Sequence, residues 1–154
     1  MTKILFVCTG NTCRSPMAEA LAKKIFNEKN LDIKTNSAGI SAESCMGASE
    51  YSIDIMRDYD IDISEHKAKR IDKKIIDEND FILTMTNQHK LSLSQKFPHA
   101  ENKIFTLSEF ACNDNYDIID PFGCNLKVYK KCADEIFSLI KIMASKLEKE
   151  KYQR

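Results

Sequence analysis

A cysteine and an arginine enclose a short loop near the beginning of the chain, in the segment VCTGNTCRSPMAEA at residues 7–20. Cys8 and Arg14 lie six positions apart, with Gly10 between them. A planar guanidinium matches two oxygens of a phosphate group, and a glycine allows a tight turn in which successive backbone amides converge on an anion. Helix N-termini and nearby cations favour the thiolate form of a cysteine. These residue types together predict a phosphate-binding loop within residues 8–15, with Cys8 as a nucleophile.

A thiolate beside a bound phosphate indicates chemistry in two steps. Attack of sulfur on phosphorus would give a phosphocysteine intermediate, which water then hydrolyses. The first step needs a general acid that protonates the leaving group. Asp120, in the segment YDIIDPFG at residues 116–123, follows two apolar residues and precedes Pro121, which stiffens the loop. An Asp-Pro pair is equally typical of an ordinary turn, so the residues by themselves leave both interpretations of Asp120 open.

The elements that would position these residues follow from the hydrophobic pattern. Short apolar runs alternate with longer segments of helical period, which is typical of an α/β protein whose parallel sheet has helices on both faces. Strands are predicted at residues 3–7, 32–37, 80–86 and 102–107, and helices at residues 15–30, 48–59, 72–77, 87–97 and 126–149. Ser15 is predicted to cap the first helix, with Pro16 at its first position.

The predicted order places residues 8–15 between the first strand and the first helix. In open α/β sheets this carboxyl edge is where ligands bind, and the helix N-terminus contributes free amides and the positive end of its dipole. An ordinary buried core thiol is the competing interpretation of Cys8. The position of the loop, and the arginine, serine and proline that end it, favour an anion-binding site instead.

Composition narrows the class of protein. The 154 residues, 43% of them hydrophobic, predict one domain over residues 1–154. Lys plus Arg and Asp plus Glu both number 23, so no basic field attracts a nucleic acid or an anionic membrane surface. The first apolar run is too short for a signal peptide or a membrane span, which predicts a cytoplasmic protein.

The cysteines and histidines do not form a metal-binding pattern. Six cysteines are spread along the chain without a CxxC pair, and the three histidines lie far from them in sequence. We therefore expect neither a metal nor another cofactor. The residues assigned to packing or to the surface, because their spacing is uninformative, are His89, His99, Cys45, Cys112 and Cys132.

The segment VCTGNTCRSPMAEA, together with DPFG at residues 120–123, resembles the low-molecular-weight protein tyrosine phosphatase family. The resemblance extends over essentially the whole chain, through NSAG, EHKAKRI and DFILTMT. It implies a Rossmann-like fold with a four-stranded parallel sheet flanked by helices. It also implies Cys8 as the nucleophile, Asp120 as the acid and then the base, and Ser15 as the hydroxyl that steadies the departing thiolate. The phosphate-binding residues are then Thr9, Gly10, Asn11, Thr12, Cys13 and Arg14.

The resemblance further implies support for the loop and a redox function. Asn11 would be held by Ser37 and His66, although an ordinary surface position is the competing interpretation of His66. Cys8 and Cys13, five positions apart, could join as a disulfide that switches the enzyme off and protects Cys8 from irreversible oxidation. A small buried side chain that packs behind the loop is the equally open interpretation of Cys13.

Thr12 bears on the choice of substrate. Tyrosine-directed members of the family usually carry a bulky aliphatic residue there, whereas bacterial members that act on phosphoarginine carry threonine and read CTGNTCRS, as this chain does. A hydroxyl leaves room beside the phosphate and offers a polar contact to a guanidinium, which favours phosphoarginine over phosphotyrosine. A loop residue chosen for its β-branched shape alone is the competing interpretation. Phe122 could stack on either leaving group, and Cys124 stands where those bacterial proteins often have a second glycine.

Two other classes of protein stay open. Thioredoxin-coupled arsenate reductases share the scaffold and the loop, but they need shuttling cysteines in the middle of the chain, and this sequence has none between Cys45 and Cys112. A non-catalytic phosphopeptide-binding module would also hold phosphate, although the combination of thiol, guanidinium and carboxylate argues for chemistry. The overall prediction is a monomeric, metal-independent protein phosphatase that acts on phosphorylated proteins through a cysteinyl-phosphate.

Overall fold

Four parallel strands and six α-helices make up the computed structural model, which describes residues 1–153. The strands are β1 (Thr2–Cys8), β2 (Ile33–Gly39), β3 (Phe81–Thr84) and β4 (Ile104–Thr106), in the spatial order β2-β1-β3-β4. The helices are α1 (Arg14–Glu28), α2 (Glu50–Asp58), α3 (Lys73–Glu78), α4 (Asn87–Lys96), α5 (Leu107–Cys112) and α6 (Leu126–Tyr152). The predicted α/β class and four-stranded parallel sheet are confirmed.

The central strand, β1, is buried on both faces. Ile4 and Phe6 belong to a core built with α1 and α6, whereas Leu5 and Val7 belong to a second core with α3 and α4. Because alternate residues of a strand face opposite sides of the sheet, a strand covered on both sides needs an unbroken apolar run. The prediction of helices on both faces is therefore confirmed.

The strand order creates a crevice at the carboxyl end of β1. β2 lies on one side of β1 and β3 on the other, so the chain crossovers diverge at this point. The loop that follows Cys8 lies there, between β1 and α1. Within residues 1–153, no helix is both long and apolar enough to cross a membrane.

Several element boundaries differ from the predictions. α1 begins at Arg14 without a side-chain cap, so the predicted capping role of Ser15 was wrong and Ser15 lies inside the helix. β4 has only three residues because a 3-10 helix over Pro98–Lys103 precedes it. α5 was not predicted, although the sequence TLSE at residues 106–109 has the pattern of the capping box that begins this helix.

Candidate active site

The loop predicted at residues 9–14 turns at Asn11, whose φ of 56° lies in the left-handed region. Gly10 does not have a positive φ, and a Cβ at that position would meet Thr12 Oγ1 at 3.7 Å, an ordinary contact. The prediction that Gly10 supplies the turn was therefore wrong. Asparagine tolerates this conformation better than most residues because its short polar side chain bonds locally.

Asn11 ties the loop to two other segments, the first turn of α1 and the connection between α2 and α3. Its Nδ2 donates to Ser15 Oγ at 2.8 Å, and its Oδ1 accepts from the Lys69 amide at 3.0 Å. The carbonyl oxygen of Asn11 lies 2.8 Å from His66 Nε2. The structure therefore brings His66 to Asn11, as predicted, and the side-chain amide of the fully buried Asn11 is paired at both ends.

Ser37 does not support the loop. Its hydroxyl donates to Glu19 Oε1 at 2.9 Å. In the register of β1 and β2 it lies two residues before Gly39, the partner of Cys8. Two strand residues span about 7 Å, so Ser37 lies too far along β2 to reach Asn11. The predicted contact between Ser37 and Asn11 was wrong, and α1 supplies the hydroxyl instead.

The Cys8 sulfur lies 2.9 Å from Ser15 Oγ, and both residues are buried. Because Ser15 Oγ accepts from the Asn11 amide, its own hydroxyl proton is free to point at the sulfur. A hydrogen bond to an ionised group is stronger than one to a neutral group. The Ser15 hydroxyl is therefore placed to donate to the sulfur of Cys8.

Arg14 and Asp120 meet although they are far apart in the sequence. The buried guanidinium of Arg14 donates from Nη1 to the Ile118 carbonyl at 2.8 Å, and its Nη2 lies 3.5 Å from Asp120 Oδ2. The Asp120 side chain is 50% exposed, and its Oδ1 accepts from the Phe122 amide at 3.0 Å. Asp120 is therefore both a turn-forming acceptor and a carboxylate at the site.

The segment that carries Asp120 is attached to the sheet and to α4. The Ile118 amide donates to the Met85 carbonyl at 2.9 Å, just beyond the end of β3. Asp117 Oδ1 accepts from the amide of Asn87, the first residue of α4, at 2.8 Å, where a carboxylate also complements the helix dipole. These contacts hold the carboxylate of Asp120 near the loop.

Cys13 lies in a small polar network behind the loop. Its buried sulfur is 3.4 Å from the Tyr129 hydroxyl and 3.5 Å from Ser49 Oγ. Burial raises the pKa of Tyr129 to about 12, so the phenol is protonated at neutral pH and can donate to the sulfur. All six cysteines are free thiols in this structure.

The two residues assigned to substrate choice differ in exposure. Thr12 is half-buried, and its carbonyl accepts from the Ser49 amide at 2.9 Å. Phe122 is 77% exposed and follows Asp120 by two residues. The Phe122 side chain is therefore free to contact a substrate, whereas the backbone of Thr12 is held in the loop.

Sequence reasoning missed two residues that shape the loop. A Cβ on Gly39 would lie 2.6 Å from the Thr9 carbonyl oxygen and 2.9 Å from the Asn11 amide nitrogen, so only glycine lets β2 approach so closely. His89, which had been assigned to packing or to the surface, bonds through Nε2 to Thr9 Oγ1 at 2.8 Å. The sequence feature that could have identified both residues is their place in the chain, because each follows a predicted strand and therefore lies at the carboxyl edge of the sheet.

No cluster of three or more metal-ligating side chains occurs in the described residues 1–153. A cavity of about 810 Å³ lies at the opposite edge of the sheet, where Thr2, Ile33 and Met143 contribute to its lining. None of the loop residues lines this cavity.

Fold and site together define a class of enzyme. A parallel α/β sheet presents a buried thiol, a guanidinium and a carboxylate at one carboxyl edge, with a hydroxyl beside the thiol. This arrangement is that of a cysteine-dependent phosphatase.

Comparisons with known proteins agree with this class. The family model "Low molecular weight phosphotyrosine protein phosphatase" matches residues 3–153. A protein-arginine-phosphatase of Geobacillus stearothermophilus is 39% identical over 96% of this chain and 97% of that protein. The low molecular weight protein-tyrosine-phosphatase PtpB of Staphylococcus haemolyticus is 36% identical over 90% of this chain and 94% of that protein.

A solved structure extends the comparison to three dimensions. A YwlE arginine phosphatase mutant with a phosphorylated active-site serine is 34% identical, has a TM-score of 0.94, and covers 99% of this chain and 100% of its own. The chain therefore belongs to the low molecular weight phosphotyrosine protein phosphatase family. It is a cysteine-dependent protein phosphatase, and the predicted resemblance is confirmed.

Proposed function

We propose that this enzyme hydrolyses phosphoarginine in proteins through a phosphocysteine on Cys8. The observation that carries the proposal is the chain of hydrogen bonds from Asn11 through Ser15 to Cys8, beside the buried Arg14. It places a hydroxyl donor beside the nucleophilic sulfur and an anion site on the same loop. The relative with a phosphorylated active-site serine supports a covalent phosphoenzyme, and the relatives that are protein-arginine-phosphatases support the substrate.

In the first step the Cys8 thiolate attacks phosphorus while Arg14 and the amides of residues 9–14 hold the phosphoryl oxygens. A P–S bond forms as the P–N bond of phosphoarginine breaks. Asp120 gives its proton to the leaving guanidine nitrogen. The phosphate of the substrate binds Arg14 Nη2, which lies 3.5 Å from Asp120 Oδ2 in the free enzyme. The carboxyl group of Asp120 then no longer pairs with Arg14 and can carry the proton.

In the second step water attacks the phosphorus of the phosphocysteine. Asp120, now a carboxylate, accepts a proton from that water. The P–S bond breaks, inorganic phosphate forms, and Cys8 leaves as a thiolate. The Ser15 hydroxyl stabilises the departing sulfur from the position that it already has in the free enzyme, 2.9 Å away.

Thr12 supports the preference for phosphoarginine because its hydroxyl can accept an N–H of the guanidinium, for which an aliphatic side chain offers no acceptor. Phosphotyrosine is the second candidate substrate. The family description and PtpB concern tyrosine phosphatases, and the exposed Phe122 could pack against a phenyl ring.

The ratio of kcat/KM on matched peptides that carry phosphoarginine or phosphotyrosine tests the substrate. We expect the unaltered enzyme to prefer phosphoarginine, and Thr12→Ile to shift the ratio toward phosphotyrosine by about tenfold, the scale of a small change in pocket shape. Thr2→Ile makes the same change at the far end of β1 and should leave the ratio unaltered. A wild-type preference for phosphotyrosine, or an unmoved ratio in Thr12→Ile, contradicts the assignment.

The proposal also includes a single domain over residues 1–154, a monomer, a cytoplasmic location and no nucleic-acid partner. The equal numbers of basic and acidic residues, 23 each, support the last of these. Sedimentation equilibrium tests the monomer, and a stable dimer would contradict it.

A further inference from the structure

His89, in the first turn of α4, is a buried histidine, 8% exposed, that takes no part in the proposed catalytic steps. Its Nε2 lies 2.8 Å from the hydroxyl oxygen of Thr9, the residue after Cys8. Its Nδ1 is buried and has no hydrogen-bond partner among residues 1–153. Buried polar atoms without a partner are rare in folded proteins, so each one calls for an explanation.

The imidazole of His89 is neutral at neutral pH. Burial lowers the pKa of His89 to about 4, and the charge of Arg14 on α1 acts in the same direction. Asp120 and Asp117, on the segment that faces α4, raise this pKa but do not offset burial. A neutral imidazole carries a single N–H, on either Nδ1 or Nε2.

The unpartnered Nδ1 decides between the two tautomers. A proton on Nδ1 would bury an N–H donor without an acceptor, and orphan donors are rarer than orphan acceptors. A proton on Nε2 instead donates to Thr9 Oγ1 and leaves only a bare lone pair of His89 unpaired. In this tautomer Thr9 Oγ1 accepts from the ring and keeps its own proton for another acceptor.

We propose that His89 is a positioning residue that makes the Thr9 hydroxyl a hydrogen-bond donor to a phosphoryl oxygen of the bound substrate. Thr9 is exposed, directly follows the nucleophile, and has no other side-chain partner within the described part of the chain. In the other tautomer the hydroxyl would donate to the ring and could not donate to a phosphate. The inference rests on the proposed function, because it requires a phosphoryl group on the loop.

Nitrogen-15 NMR of the full chain with labelled histidine rings tests the tautomer. At pH 7 we expect the His89 ring to be neutral, with its proton on Nε2. A ring protonated on Nδ1, or a doubly protonated ring, overturns the proposal. A purely structural role would place no demand on the tautomer.

Inhibition by orthovanadate, a phosphate-shaped anion, tests the hydroxyl independently of the substrate. Thr9→Val and His89→Leu should each weaken binding about tenfold, the scale of one hydrogen bond to an anion. Because both act on the same hydrogen bond, the double variant should lose no more than Thr9→Val alone. Thr9→Ser keeps the hydroxyl, and His89→Gln offers an amide N–H in place of Nε2, so both should retain most of the affinity. Thr2→Val is the matched control at the other edge of the sheet.

The outcomes separate this inference from the proposed function. Unchanged orthovanadate affinity in Thr9→Val, or additive losses in the double variant, overturns the role of His89 and leaves the phosphatase assignment intact. Failure of the wild-type protein to bind orthovanadate overturns both. If His89→Leu does not fold, the wild-type tautomer together with Thr9→Val and His89→Gln still decides the question.

Discussion

Individual hydrogen bonds determine which groups at the site donate a proton and which accept one. Ser15 Oγ accepts from Asn11 and therefore has its single proton available for the sulfur of Cys8. The second sulfur of the loop, that of Cys13, faces the protonated phenol of Tyr129 instead. The two thiols therefore differ in the groups that surround them, although both are buried on one short loop.

Asp120→Asn should slow the release of poor leaving groups far more than that of good ones. An amide cannot give a proton to the leaving group, and general acid catalysis contributes about 100- to 10,000-fold. Rates on a series of aryl phosphates with leaving phenols of different acidity measure this dependence. Asp114→Asn, the same exchange at an exposed residue of this segment, should leave the series unchanged. An equal loss for good and poor leaving groups would exclude Asp120 as the acid.

Cys13→Ser should remove recovery from oxidation. If peroxide converts Cys8 to a sulfenic acid, attack by the Cys13 thiol releases water and forms a disulfide that a dithiol can reduce. Without that thiol, Cys8 oxidises further and irreversibly. The measurement is the activity regained with dithiothreitol after a peroxide pulse. Cys124→Ser, at an exposed thiol, should recover like the wild type, and full recovery in Cys13→Ser would contradict the switch.

Among the secondary-structure elements, the carboxyl ends of the strands build the site. β1 delivers the nucleophile, β2 ends at Gly39 against the loop, and the residue just beyond β3 holds the segment of Asp120 through the contact between Met85 and Ile118. α1 begins within the loop itself at Arg14, so helix and loop share one backbone. The position of the acid relative to the nucleophile therefore depends on the packing of β1 against β2 and β3.

Gly39→Ala should disturb the loop from the neighbouring strand. The added Cβ would lie 2.6 Å from the Thr9 carbonyl oxygen, a backbone atom, so β2 and the loop must move apart. Overpacking of this kind costs about 1 to 3 kcal/mol, and we expect kcat/KM on an aryl phosphate to fall by about tenfold or more. Gly47→Ala is the matched control, because its Cβ would meet nothing closer than 4.0 Å. Equal activity in the two variants would show that the close approach is unimportant.

At the scale of the whole molecule, two separate cores hold the sheet and leave its carboxyl edge for the site. One core lies between the sheet and the helices α1 and α6, and the other lies beneath α3 and α4. His89 is buried beside the site in the first turn of α4, so its protonation is coupled to the stability of the fold. Buried ionisable groups of this kind make folding depend on pH.

The free energy of unfolding should fall as the pH decreases from about 6.5 to about 4. Burial lowers the pKa of His89 to about 4 in the folded protein, whereas its ordinary value is 6.5. Within this window the unfolded chain binds the extra proton, so acid favours unfolding by up to about 1.4 kcal/mol per pH unit. Above pH 6.5 the full contribution of the neutral His89 side chain to the free energy of unfolding is present.

Urea unfolding at several pH values between 4 and 7 measures this dependence. His89→Gln cannot titrate and should give a flatter dependence than the wild type. His99→Gln removes an exposed histidine and should keep most of the wild-type fall. An identical pH dependence in wild type and His89→Gln would show that His89 does not titrate as expected.

Local sequence patterns predicted the four strands, five of the six α-helices, the loop after β1, and the presence of Cys8 and Arg14 at that loop. These features depend on residues within one strand or one turn of each other, so local patterns are enough to indicate them. The segment YDIIDPFG indicated Asp120 as a candidate acid but left an ordinary turn equally open. The family resemblance favoured the acid, and it added His66, which no local pattern could connect to the loop.

The partners of these residues follow from tertiary packing and not from local patterns. Arg14 contacts the Ile118 carbonyl across 104 positions of sequence, and Thr9 contacts His89 across 80. Such contacts depend on strand order and register. Ser37 and Gly39 lie two residues apart on β2, and this difference places Gly39, rather than Ser37, against the loop. Local sequence does not encode that register, because it follows from how the two cores pack against the sheet.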